Sequence, residues 1–308
     1  MIGPSKQLMI KVTTSFFLLF LLCVNFGSLA RSTSRPRGKD ADTSGAGRGF
    51  VGFINQQDLP WEEFRVKGVA SGLKAKTLSR DPKTGAVSLL LYYPPGWRSL
   101  ADSNYHAGDE EIFVLEGDLT IGKRTLTDRC YSFMPAGMAH GPIGSKGGCL
   151  ALTFFDREPD VIASKESQPG AKFDWAVEYK NYFDDPWALG ATRAKSKNPP
   201  PLLIKVLRQD EQTGARTWIA GVLSGHPNYT WETHPTWEEG YLIEGEYRLA
   251  ECLDGKSKAG LYTPGSYFFR PAGRPHVGPD AGAKGYAVWL FRTPAELDVK
   301  FLDKTACK

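Results

Sequence analysis

Short apolar or alternating runs recur along the chain, among them Ala86–Tyr93, Ile112–Ile121, Tyr131–Met134 and Cys149–Phe155, each bounded closely by Gly, Pro, Asp or Asn. Runs of this length, rich in β-branched and aromatic residues and punctuated by turn formers, predict strands. No long segment of 3.6-residue period interrupts them, apart from a short helix expected near Asp184–Ala188. The pattern predicts an all-β sandwich or barrel. Within it, the stretch HAGDEEIFVLEG sets His106 and Glu110 four residues apart, a spacing that on a helix would share one face. Ala107-Gly108-Asp109 is turn material and Ile112–Leu115 is strand material, so His106 is placed on a loop and Glu110 at the start of a strand.

The runs repeat. LSRDPKTGA from Leu78 matches LRQDEQTGA from Leu207 at an offset of 129, and HAGDEEIFVLEG matches HPTWEEGYLIEG from His234 at 128. YSFMPAGMAH from Tyr131 matches YFFRPAGRPH from Tyr267 at 136, the shift being absorbed by about eight extra residues around Leu253–Lys258, as a lengthened hairpin loop would do. Order-preserving similarity of this kind indicates two copies of one unit. The expected organisation is a signal peptide over 1–30, a flexible leader over 31–59, a first domain over 60–165, a connector over 166–201 containing AKSKNPPP, and a second domain over 202–308.

Composition and short motifs add further constraints. With 308 residues, 41% of them hydrophobic, the chain has the material for one large or two ordinary globular domains. Lys6 and Lys11, an apolar run over Phe16–Val24 and the small residues Ser28 and Ala30 read as a secretory signal, which predicts a secreted or periplasmic protein. An uncleaved anchor is the other reading, since Val12 to Ala30 carries no charge. Loss of those two lysines lowers the formal charge of +4 by two, a balance that argues against a nucleic-acid partner and against stable membrane association after cleavage, and favours a small-molecule substrate or ligand. Four cysteines remain after cleavage, none in a CxxC pair, so structural disulfides are expected; of three pairings, Cys130–Cys149 with Cys252–Cys307 is favoured because the first two flank a hairpin-like unit. Asn228-Tyr229-Thr230 is a glycosylation sequon.

Candidate chemistry lies in the histidines. Of five, four fall in the repeated signatures: His106 and His140, His234 and His276; His226 lies outside them. These signatures resemble those of the cupins, whose motifs have the forms G(X)5HXH(X)3-4E(X)6G and G(X)5PXG(X)2H(X)3N. His106, Glu110 and Gly117, then Pro135, Gly137 and His140, match in the first copy; His234, Glu238, Gly245, Gly265, Pro271, Gly273 and His276 match in the second. The first histidine of the motif is replaced by Asn104 and Glu232, and the closing asparagine by Gly144 and Asp280. The chain is thus similar to bicupins, to ChrR-type cupin domains and, more loosely, to the acetylacetone-cleaving dioxygenase. The resemblance implies two tandem cupin (jelly-roll β-barrel) domains, each holding a divalent metal ion such as Fe, Mn or Zn. The implied ligands are His106, Glu110 and His140 in the first, and His234, Glu238, His276 and Glu232 in the second. Imidazole and carboxylate suit such ions.

One carboxylate in the first site leaves a divalent ion with residual charge and open positions, whereas a second carboxylate, Glu232, predicts tighter holding and lower Lewis acidity in the second. Glu232 has a solvent-facing reading as well. Glu111 and Glu239, next to the ligand glutamates, point to the opposite strand face and are expected in salt bridges or in solvent. Trp218, Tyr229, Trp231, Trp237 and Tyr241 either line an apolar mouth or fill the core. The functional readings are a metal-dependent, dioxygenase-like oxidoreductase acting on a small oxygenated molecule, an isomerase or lyase using the ion as a Lewis acid, and a noncatalytic ligand-binding cupin. A homo-oligomer is a further expectation of the resemblance.

Overall fold

A computed structural model describes residues 47–190, 202–224 and 230–307. In the first copy a seven-stranded antiparallel sheet runs in the order Val177–Asn181, Cys130–Met134, Glu110–Gly117, Cys149–Phe155, Val87–Tyr93, Lys74–Arg80, Glu62–Glu63. A three-stranded sheet (Ile143–Gly144, Leu119–Ile121, Arg124–Leu126) and the pair Ile162–Ala163 with Asn104–Tyr105 complete its wall. In the second copy two long strands, Glu238–Leu253 and His276–Thr293, bend through repeated register breaks and carry one ten-stranded sheet around the barrel. Apart from two single-turn 3-10 helices, the described elements are strands, and the architecture is two tandem jelly-roll barrels, as the strand pattern and repeat predict.

The apolar runs are continuous because both strand faces are buried. Leu89 and Leu91 face the interior of the first barrel with Ile112 and Val114. Leu90 and Phe113 face the other way, into a core shared with Ile219, Trp237, Tyr241, Phe269 and Leu290 of the second copy. The same alternation puts Glu110 inside the barrel and Glu111 between the barrels. Gly117 and Gly245 close the two motifs at φ +87° and +78°, where an added Cβ would lie 2.0 Å from the carbonyl oxygen of Gly148 or Tyr286.

Several expectations fail. Residues 51–59 are not a flexible leader: Val51–Asn55 is a strand paired with Ser266–Arg270 of the second barrel. In a reciprocal arrangement, Val177–Asn181 from the connector pairs with Cys130–Met134 of the first. Near Asp184–Ala188 there is a turn leading into the strand Ala188–Gly190, and no helix, because backbone pairing with Leu202–Ile204 outweighs the local propensity. Cys252–Cys307 is a disulfide, but Cys130 and Cys149 are free and buried. Their strands pair on opposite sides of Glu110–Gly117, which puts two inter-strand spacings of about 4.8 Å between them, beyond the reach of a disulfide. The signal segment, His226, the sequon at Asn228 and AKSKNPPP lie outside the described residues. Among those described, no helix is long and apolar enough to cross a membrane.

Candidate metal centres

The first candidate site forms where three parts of the chain meet inside the first barrel. Glu110 opens a central strand, His106 precedes it, and His140 follows the Pro135-Ala136-Gly137 turn. The Gly137 amide donates to the His106 carbonyl at 2.8 Å, so that turn fixes one histidine loop against the other; Gly273 does the same to His234, also at 2.8 Å. His140 Nδ1 pairs with the Met138 carbonyl at 2.8 Å, and His106 Nδ1 with that of Asp160. Carbonyls only accept, so both Nδ1 atoms carry the proton and both Nε2 lone pairs face inward. They lie 3.5 Å (His106) and 3.6 Å (His140) from Glu110 Oε2. Glu110 Oε2, His140 Nε2 and Asn104 Oδ1 are buried with no hydrogen-bond partner.

Three orphaned, buried acceptors are costly unless a cation satisfies them. The donor set therefore fits a divalent ion, with Asn104 as a neutral neighbour. Burial alone would raise the Glu110 carboxyl, but His106 and His140 beside it outweigh that and hold it below its ordinary value. Burial likewise disfavours protonated His140, and Glu110 reverses the shift upward.

The second site repeats the triad, with His234 Nε2 3.6 Å from Glu238 Oε2 and the rings of His234 and His276 5.0 Å apart. Their Nδ1 atoms are tied to the carbonyls of Thr236 at 2.6 Å and Arg274 at 2.8 Å. Ligand atoms of each triad lie within 4.8 Å of one another. Glu232 faces the site as well, 3.3 Å from His276 Nε2.

A further difference separates the two sites. Glu238 pairs across the sheet with Arg270, whereas Glu110 pairs with Met134. Arg270 is buried, puts Nη1 2.5 Å from Glu238 Oε2 and holds Glu251 through Nη2 at 2.6 Å and Nε at 3.2 Å. Burial would raise the Glu238 carboxyl, but His234, Arg270 and His276 hold it down to about 2. The protein thus supplies its own cation to the second ligand carboxylate. This opposes the tighter metal holding that Glu232 alone predicted for that site.

Glu111 and Glu239 are buried between the barrels and bridged by Arg292, which bonds Glu111 at 2.7 and 3.0 Å and also contacts Glu239. Tyr131 and Thr217 donate to Glu111 at 2.6 and 2.5 Å, and Tyr267 and Ser88 to Glu239, both at 2.6 Å. The salt-bridge expectation applies and the solvated one does not. Among the aromatics, Trp231 packs in a small core with the Cys252–Cys307 disulfide, Trp237 and Tyr241 fill the inter-barrel core, and Trp218 lines a cavity; Tyr229 lies outside the described residues. Arg270, Glu251 and Asp160 were not found from the sequence: Glu251 and Asp160 belong to no motif, and Arg270 occupies a variable position of the second one. The replacement of Met134 by arginine at the repeat-equivalent position was the available signal.

Residues 52–300 match a family model described as a domain of unknown function (DUF4437). The chain belongs to this family. A solved structure from Nostoc punctiforme, a "putative dioxygenase", superposes with a TM-score of 0.68 at 21% identity, covering 83% of this chain and 87% of that one. Oxalate decarboxylase of Bacillus subtilis, an enzyme with Mn(II) centres, superposes with a TM-score of 0.53 at 13% identity, covering 82% and 80%. A search of curated proteins finds no significant match. At these identities the structural likenesses establish the shared bicupin fold, and activity does not follow from fold.

Proposed function

We propose that the chain is a metal-dependent cupin enzyme whose reaction centre is His106, Glu110 and His140, acting on a small oxygenated molecule. The convergence of His106, Glu110 and His140, with Glu110 Oε2 and His140 Nε2 buried, unpartnered and 3.6 Å apart, carries this reading. A bound divalent ion would supply Lewis acidity and, if iron or manganese, one-electron chemistry. The chain's own contribution is to hold both imidazoles in one tautomer through the Asp160 and Met138 carbonyls and to keep Glu110 ionised. It also surrounds the site with apolar side chains that include Val69, Leu91, Tyr93, Ile143 and Phe155.

A dioxygenase-like oxidation is the leading form, supported by the two-histidine, one-carboxylate set and by the description of the Nostoc neighbour. The named resemblance to ChrR-type domains and the acetylacetone-cleaving enzyme rests on the motifs alone. An isomerase or lyase using the ion only as a Lewis acid is the second form, favoured by the decarboxylase neighbour. The N-terminal segment supports export, so the reaction would take place outside the cytoplasm. Elemental analysis of the purified protein, repeated for His106→Ala and His234→Ala, tests the premise; wild type without bound Fe, Mn or Zn ends it. Oxygen uptake with diketones, phenols and sugar acids then separates oxidation from Lewis-acid chemistry.

A further inference from the structure

The barrels enclose unlike spaces. Around His106 and Glu110 the cavity is about 50 Å³ and has no lysine or arginine in its lining. The second barrel holds a cavity of about 140 Å³, walled by Trp218, Phe268, Trp289 and Phe291 and floored by Glu238 and His276. An apolar cavity of about 150 Å³ takes up benzene, while a water occupies about 30 Å³. A separate cavity of about 430 Å³, lined in part by Lys123 and Arg124, reaches His140 of the first barrel. The second barrel's apolar space suits one six-membered ring. Its wall is already packed for a flat guest: Phe291 stacks on Trp218 at 5.4 Å and on Trp289 at 5.6 Å between ring centroids.

Two guanidinium groups enter this chamber. Arg270 is committed to Glu238 and Glu251. Arg216 lies over the Trp218 ring, 4.1 Å from its centroid, and its Nε is buried without a hydrogen-bond partner. Burial works against its charge, and Glu238 and Glu296 offset this only in part, leaving its pKa below the ordinary value. An anionic acceptor would complete it.

We propose that the second chamber binds a single-ring aromatic carboxylate, with its carboxylate on Arg216 and its ring against the Trp218–Phe291–Trp289 wall. The proposal rests on the metal reading, because Glu232 and Glu238 also face the chamber and a divalent ion in the second triad, together with Arg270, is what cancels their repulsion of an anion. It assigns ring recognition to the aromatic-walled chamber of the second barrel.

The test uses the full-length protein saturated with Mn(II), followed by tryptophan fluorescence and calorimetry with benzoate, benzyl alcohol and benzylammonium. Benzoate is expected to bind at least tenfold more tightly than benzyl alcohol. Arg216→Gln is expected to lose at least tenfold in benzoate affinity while benzyl alcohol binding changes less than twofold. Arg216→Lys, which keeps the charge and provides a check if the glutamine variant does not fold, should lie between them. Equal affinities, a preference for benzylammonium, or benzoate binding unchanged in either variant overturns the proposal. Metal analysis of the same samples separates the two ideas: manganese in the second site without benzoate binding sinks this inference alone, and no manganese in either site sinks the metal reading with it.

Discussion

Replacing Arg270 by methionine, the residue at the matching position of the first barrel, should change the second triad from a self-neutralised cluster into an open metal site. Arg270 Nη1 lies 2.5 Å from Glu238 Oε2, and an ion bound by that carboxylate would sit about 2.1 Å from the oxygen. The ion and the guanidinium would then be about 4.5 Å apart. At an effective dielectric constant of about 20, a doubly charged ion and a single charge at that distance repel by about 7 kcal/mol, of which Glu251 and Glu232 cancel a large share. A residue of only about 1.4 kcal/mol is a factor of ten in affinity. The single substitution has its own cost. It leaves Glu251 buried with no counter-charge, and breaking a buried pair from one side costs about 3–5 kcal/mol. Arg270→Met with Glu251→Gln removes both charges and should restore most of that stability.

Calorimetric titration with Mn(II) should show one tight and one weaker site in wild type. The tight site should be lost in His106→Ala and the weak site in His234→Ala. In the double variant the weak site should tighten at least tenfold, with thermal melting as the fold control. Two equal sites in wild type, or a second site unmoved in a folded double variant, would refute the argument that Arg270 competes for the ligand carboxylate.

Four further outcomes are expected. Glu110→Gln should abolish tight metal binding and lower the melting temperature of metal-stripped protein near neutral pH, because His106 and His140 hold the ionised carboxylate below its ordinary value; a rise would show that the buried charge is unsatisfied without an ion. The Glu111 carboxyl is pushed up by burial but held down to about 2 by Arg292 and Arg208. A depressed carboxyl contributes stability above its unfolded value near 4.5 that is lost as pH falls towards 2, so melting temperature should drop across that window, and the drop should be shallower in Arg292→Met, measured by calorimetry between pH 6 and 2. The Cys252–Cys307 bridge joins residues 55 apart, so Cys307→Ser should cost about 4 kcal/mol in denaturant unfolding. Cys149, whose thiol burial pushes up to about 12, should react with a thiol reagent only after unfolding.

The sequence by itself determined the strand-rich class, the duplication, and the triads His106–Glu110–His140 and His234–Glu238–His276. All three are written in local order: turn formers bound the runs, the repeat keeps its order, and a fixed two-residue alternation sends Glu110 and Glu111 to opposite faces. Tertiary structure decided what those faces meet. Only pairing on either side of Glu110–Gly117 shows that Cys130 cannot reach Cys149. Only packing of one barrel on the other turns Glu111 and Glu239 into partners of a single Arg292, 181 and 53 residues distant in sequence. The exchange of Val51–Asn55 and Val177–Asn181 onto opposite barrels was hidden because edge-strand pairing is a long-range event that local propensity does not encode. The inequality of the two sites was hidden for a related reason. Arg270 reaches Glu238 across a sheet, and contacts between strands belong to the register of the fold, not to spacing along the chain.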